Sequence, residues 1–254
     1  MRQTTRASLV PNPPWVSYLL SVSYEAIQDQ VKDHPAWMPK LAQVFPGRGN
    51  RISAEIREYG CGVYGCVIPT LDPNVVLKVT TDDTEAQFAA EIAHDLVAPI
   101  CVRYLADMAL TLKHRGRSVT LLWRESADYV GNLAKYLSER VRPESATEIT
   151  QVALTLIANQ WDAAQIAFKA LVQHASPDDK ERAVSGWLEA CEKMARQTRV
   201  PELRSLGDGM VEIFAAQGVV FGDVHAGNIG LVHRPDGDRW VITDPGNIAV
   251  VLPT

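Results

Sequence analysis

The sequence predicts an α+β fold: a small antiparallel sheet, then a mainly helical region, then a closing hairpin. Three observations predict it. Residues 51–57 alternate, with Ile52, Ala54 and Ile56 on one face and Arg51, Ser53, Glu55 and Arg57 on the other, the period of a half-buried strand. Residues 128–218 instead carry apolar residues at helical spacing, with helix start and stop signals. From Ile229 to Thr243, two β-rich runs meet at Pro235-Asp236-Gly237, a turn sequence.

The 254 residues suffice for one sizeable core or two small lobes. With 46% hydrophobic and 22% charged residues, the composition is that of a globular protein. The net charge of −5 gives no electrostatic reason to expect nucleic acid or an anionic membrane as partner. No apolar run approaches the ~20 residues that span a bilayer, and the N-terminus lacks the apolar core of a secretory signal. The four cysteines, Cys61, Cys66, Cys101 and Cys191, show no metal spacing. They read as reduced thiols of a cytoplasmic protein.

In chain order, residues 1–50 read as a helical N-terminal extension, with one helix within 15–31 and a short second one within 35–45. It packs on the neighbouring lobe or serves as a partner-binding arm. The strand of 51–60 runs into GCGVYGCV, residues 60–67, a full G-x-G-x-x-G-x-V whose fixed positions are Gly60, Gly62, Gly65 and Val67, with Val63 between them. In a dinucleotide-binding unit such glycines open a helix. Here two β-rich runs joined by LDPN come next, which favours a strand–loop–strand. Its glycine tip lets backbone N–H groups approach phosphates, and a plain Gly-rich hairpin is the other reading. Lys78 lies among apolar neighbours in VVLKVT, so it faces solvent or serves a buried anion, because an unpaired buried ammonium is costly. A helix succeeds it, capped by Asp82 or Asp83, with Phe88, Ile92 and Leu96 as its stripe and Glu85 and Glu91 as carboxylates.

Residues 101–126 read as two strands around an Arg-Gly-Arg-Ser turn. Beyond them, 128–141 reads as one helix, and Ile149, Val152 and Leu156 open another that runs to about Leu171. Ser176 caps a third helix with Pro177 at its first position and Ala183, Trp187, Cys191 and Met194 as its buried stripe. The last helix, 201–217, closes at Gly218, with Gly207 and Gly209 weakening its start.

The helix delivers the chain into Val219–Gly230, VVFGDVHAGNIG, where a buried run ends in Gly222-Asp223 and Asn228 lies further along the same loop. A second apolar run ends in Asp244. These segments together resemble the protein-kinase-like superfamily. GDVHAGN is closest to the catalytic loop of the aminoglycoside phosphotransferase and choline kinase branch, and Asp244-Pro245-Gly246 stands where protein kinases have Asp-Phe-Gly. The resemblance covers roughly residues 51–250 and implies a bilobal fold. Residues 51–127 would form the N-lobe and 128–254 a C-lobe ending just after the Asp-Phe-Gly equivalent.

It further implies ATP and Mg²⁺ as cofactors. Gly60, Gly62, Val63, Gly65 and Val67 would cover the phosphates. Lys78 would contact the α- and β-phosphates, paired with Glu91, with Glu85 the second candidate. Trp123, Arg124, Glu125 and Ser126 would line the adenine site, Trp123 serving equally well as core. Asp223 would orient or deprotonate the acceptor hydroxyl, and Asn228 and Asp244 would bind Mg²⁺. The implied reaction is γ-phosphate transfer to a hydroxyl, first on a protein of Ser/Thr type and alternatively on a small molecule. Inserted helices within 141–205, or a protein partner, would complete the acceptor surface. A nucleotide-binding scaffold without turnover is the third reading.

The chain departs from protein kinases at four places. Phe221 and Gly222 replace His and Arg, which makes regulation through an activation-loop phosphate unexpected. His225 takes the place of a lysine near the transferred phosphate, Pro245 replaces Phe, and the long segment after the Asp-Phe-Gly position is missing.

Overall fold

The computed structural model of the protein describes residues 29–44, 60–61, 64–91, 100–114, 117–129, 133–173 and 175–251. These fall into two compact units, one drawn from 1–83 and 105–124, the other from 84–104 and 125–254. The architecture is α+β, as the sequence predicts.

The first unit is built on a five-stranded sheet in the order β1-β2-β3-β5-β4. Its strands are β1 (Gly60–Cys61), β2 (Gly65–Pro69), β3 (Val75–Thr80), β4 (Tyr104–His114) and β5 (Arg117–Glu125). The alternating stretch 51–59 lies outside the described residues. β2 and β3 are antiparallel, joined through a turn in which the Asn74 N–H donates to Asp72 Oδ1 at 2.9 Å. The short helix α1 (Met38–Val44), entered through a 3-10 turn at Pro35–Trp37, lays Trp37, Leu41 and Val44 into the same apolar core as Leu77, Leu121 and Trp123. The N-terminal segment, where described, thus packs on the sheet.

Cys66 is disulfide-bonded, whereas Cys101 and Cys191 are free and buried. The expectation of four reduced thiols is therefore corrected. The β1–β2 register sets Cys61 directly opposite Cys66. Opposed Cα atoms of antiparallel strands lie ~4.5–5.5 Å apart, within the span a disulfide bridges.

The second unit begins with the helix α2 (Asp83–Glu91) and is dominated by α4 (Pro143–Val172), α5 (Pro177–Gln197) and α6 (Pro201–Gln217). Each of these three long helices opens on proline, whose missing N–H costs nothing in the first turn. Ser176 caps α5 as expected, its Oγ accepting from the Asp179 N–H at 3.2 Å, an interaction typically worth ~1 kcal/mol. The buried face of α5 is Val184, Trp187, Cys191 and Met194, so Val184 rather than Ala183 heads the stripe. Gly218 stops α6 in the left-handed region, at φ 66°, where a Cβ would be strained. α4 packs along α5, and α5 along α6. Gly207 belongs to that second contact: a Cβ there would sit 2.9 Å from the Cys191 carbonyl oxygen. It allows close approach rather than merely weakening the helix.

One predicted helix is corrected. Among the described residues of 128–141, the helix is α3 (Leu133–Ser138), while β6 (Asp128–Tyr129) is a strand paired with β8 (Ile229–Arg234). The open edge of β8 offers Asp128–Tyr129 ladder bonds that override its local pattern. β8 also pairs with β9 (Gly237–Ile242) through the expected turn at Pro235-Asp236. β10 (Ile248–Val250) returns antiparallel to β7 (Val219–Phe221). Among the described residues, no helix is long and apolar enough to cross a membrane.

Candidate active site

β7 is buried at all three residues. Phe221 anchors it, meeting the Phe88 ring of α2 edge-on at 6.2 Å, and Phe88 meets Tyr104 in the same way. Gly222 is the next residue. Its N–H donates to the Asn247 carbonyl at 2.8 Å, and its own carbonyl accepts from Gln165 Nε2 of α4. A Cβ on residue 222 would fall 2.6 Å from the Asn247 oxygen and 3.0 Å from the Phe168 ring. There is no room for a larger side chain at this position.

The chain then turns outward and exposes Asp223, whose side chain keeps 27% of its exposure. Two donors hold its carboxylate. Trp161 Nε1 reaches Oδ1 at 3.2 Å from α4, and Asn228 Nδ2 reaches Oδ2 at 3.3 Å while also bonding the Asp223 carbonyl at 3.0 Å. His225 Nδ1 accepts the Gly227 N–H at 2.9 Å, so the neutral ring carries its proton on Nε2. That nitrogen lies 3.8 Å from Asp223 Oδ1, and the imidazole meets the Trp161 indole edge-on at 5.2 Å. His225 thus ties the loop together while leaving one N–H facing the carboxylate.

A 3-10 turn, Ala226–Asn228, leads into β8. The Thr243 N–H donates to the Asn228 carbonyl at 2.8 Å, extending the register in which Ile229 faces Ile242. Asp244 is the next residue, partly exposed. Asp223 and Asn228 are therefore in direct contact on one loop, and Asp244 follows the residue whose N–H bonds the Asn228 carbonyl. With Asn228 Nδ2 committed to Asp223, its Oδ1 is the atom left to accept. Asn228 and Asp244 offer oxygens to a hard cation, and Mg²⁺ commonly takes one or two protein oxygens, completing its shell with phosphate and water. Among the described residues no group of three or more His, Cys, Asp or Glu is placed to hold a metal unaided. An amide oxygen and a carboxylate are donor types that such a cation takes.

In the first unit, Lys78 is buried at 5% exposure, which removes the solvent-facing option left by the sequence. It lies directly opposite Val67, and Gly65 opposite Thr80. Gly60 ends its strand pair opposite Val67 as well. Gly62 and Val63 lie outside the described residues. The Tyr64 carbonyl anchors the base of the loop, accepting from the Thr81 N–H at 2.7 Å and its hydroxyl at 3.1 Å.

On α2, Glu91 is the last residue and its side chain is outside the described part of the structure, whereas Glu85 is fully buried and accepts the Tyr104 hydroxyl at 3.0 Å. Among the described side chains of this helix, Glu85 is the buried, positioned carboxylate. Among the residues predicted to line an adenine site, Trp123 belongs to the apolar core and Arg124 is buried. Ser126 comes just after the end of β5. Glu125 is committed elsewhere. Its N–H donates to the Arg103 carbonyl at 2.9 Å, and its carboxylate takes Arg234 in a two-pronged ion pair at 2.8 and 3.0 Å. Arg234 also bonds the Cys101 carbonyl at 2.9 Å, and burial pushes the Cys101 thiol far up.

Sequence reasoning missed Trp161, Gln165 and Phe168. Their spacing, i, i+4 and i+7, sets them on one helical face, and a tryptophan with a glutamine one turn on was the signal available. No family model matches the chain, and no curated protein matches its sequence.

Proposed function

We propose that the protein is an ATP- and Mg²⁺-dependent phosphotransferase of bilobal, kinase-like organisation, passing the γ-phosphate to a hydroxyl. One observation carries this reading: the Asn228 amide holds the Asp223 carboxylate, and the N–H of Thr243, the residue before Asp244, bonds the Asn228 carbonyl. A carboxylate held at both oxygens beside two oxygen donors suits an acceptor base next to a cation site. Asp223 would draw the acceptor proton as the oxygen attacks phosphorus. Mg²⁺, when bound, would neutralise charge on the phosphate oxygens. Lys78, Gly65 and Val67 would contact the nucleotide. Such catalysis is mostly positioning and charge neutralisation.

The acceptor we assign first is a protein Ser or Thr hydroxyl. A small-molecule alcohol is the second reading, suited to a carboxylate that has the Trp161 indole and the His225 ring beside it.

The test supplies Mg-ATP to the whole chain, alone, with cell lysate and with a panel of small alcohols, and tracks the γ-phosphate. Wild type labels an acceptor. Asp223→Ala lowers transfer by about 10²–10⁴-fold while still binding nucleotide. A wild type that binds Mg-ATP but labels nothing is a scaffold, and one that binds no Mg-ATP ends the reading altogether.

A further inference from the structure

We infer that Trp161 is a positioning residue for Asp223, and that α4 serves as the template on which the catalytic loop is set. The inference rests on the phosphotransferase reading for its consequence, though not for its geometry. Three α4 side chains at i, i+4 and i+7 each take a different part of the loop. The Trp161 indole N–H takes the Asp223 carboxylate, the Gln165 amide takes the Gly222 carbonyl, and the Phe168 ring closes over the Gly222 Cα. The neighbours that these three leave on the helix differ in kind: Ala164 and Ala167 are buried, whereas Ile166 is 63% exposed.

A carboxylate on a half-exposed loop rotates about χ1 and χ2 unless both oxygens are held. Asn228 is the neighbour on the same loop and moves with it. Trp161 is the donor that comes from outside, on a helix of 30 residues, so it fixes the carboxylate relative to the body of the unit. A hydrogen bond donated by a neutral indole leaves Asp223 its charge and leaves Oδ2 facing the loop side. Misplacing a reacting group by about 1 Å is enough to cost roughly 10²-fold in rate. A tryptophan serving only as packing would be replaced by phenylalanine with little loss. One serving as a donor would not.

The test is Trp161→Phe, which keeps a ring and removes the N–H. In the whole chain with Mg-ATP, the expected result is about a tenfold fall in kcat with the KM for ATP unchanged and the circular dichroism intact. The probe reaction is phosphate release to water, together with any acceptor the panel yields. A kcat within twofold of wild type overturns the inference.

A second measurement is independent of turnover. The ¹⁵N indole resonance of Trp161, assigned as the one lost in Trp161→Phe, moves upfield in Asp223→Ala when the carboxylate is its acceptor. An unmoved resonance overturns the inference even if the enzyme is active. If wild type transfers no phosphate to anything, the phosphotransferase reading falls, and the indole resonance alone decides whether Trp161 holds Asp223.

Discussion

Between Gly65 and Pro69, five rungs of one antiparallel ladder with β3 place Lys78 opposite Val67. Between Phe221 and Asn228, beside the loop's own Asn228–Asp223 and Gly227–His225 bonds, contacts come from further along the chain: Phe88, Trp161, Gln165, Phe168, Asn247 and Thr243. The first region is held by register between neighbouring strands. The second is held by side chains and carbonyls that folding must first assemble. A lysine on a ladder is placed once its hairpin forms. An aspartate on a loop is placed only when a helix and a returning strand have both arrived. Damage to distant elements should therefore reach Asp223 and spare the β2–β3 pair, and three substitutions probe that contrast.

The largest stability loss is expected for Arg234→Met. The arginine side chain is 2% exposed and its glutamate partner 15%, so the change leaves a largely buried Glu125 carboxylate with the Arg103 N–H but without its countercharge. Chemical denaturation should show a loss of about 3–5 kcal/mol, typical of breaking one partner of a buried ion pair. A loss below about 1 kcal/mol, the range of exposed pairs, would mean that the β5 end and β8 are held by packing alone.

Gly222→Ala comes second. The added methyl meets a backbone oxygen that has no rotamer to yield, and overpacking of this kind costs about 1–3 kcal/mol. Turnover should fall further than stability, because Gly222 sits between β7 and Asp223. Equal losses in both would show that the loop and the β7–β10 pair move as one body.

The smallest effect belongs to His233, the residue before Arg234 on β8. It is 60% exposed, with Nδ1 2.8 Å from Asp238 Oδ1 and Nε2 3.7 Å from Asp128 Oδ2. The hydrogen bond to Asp238, aided by both carboxylates' charge, raises its pKa above the ordinary 6.5. A raised folded-state pKa adds stability below the unfolded value that is lost as pH rises through the folded one. Wild type should therefore lose a little stability on going from slightly acid to slightly alkaline pH. His233→Asn should flatten that slope, and salt should shrink it, since the pair is exposed. A slope unchanged in His233→Asn would assign it to other groups.

The same contrast explains what the sequence reveals. Ser176, Pro177 and Gly218 act within a turn of their own positions, so the α5 start and the α6 stop are readable directly. The β8–β9 hairpin is legible at Pro235-Asp236-Gly237 for the same reason. Asp223, Asn228 and Asp244 stand out because the loop and the hairpin are themselves local patterns. Trp161 and Gln165 do not, because their partners lie 62 and 57 residues away and nothing in the intervening sequence records the meeting. Asp128–Tyr129 reads locally as helix because its partner, β8, lies far downstream. The disulfide at Cys66 is within reach of the sequence, since hairpin counting sets Cys61 opposite it.

The pairing of β10 with β7 turns the chain from 219 to 250 into a circuit whose two ends are stitched together, and its far bend at Asp236 stands in water. A cut at that bend would sever the polypeptide without freeing either piece, because each half remains laced to the other along β8 and β9 and to the body through β7 and β10. The bend is thus the natural place to split the protein into two fragments that reassemble on mixing, with Asp223 and Asn228 carried by one and Asp244 by the other.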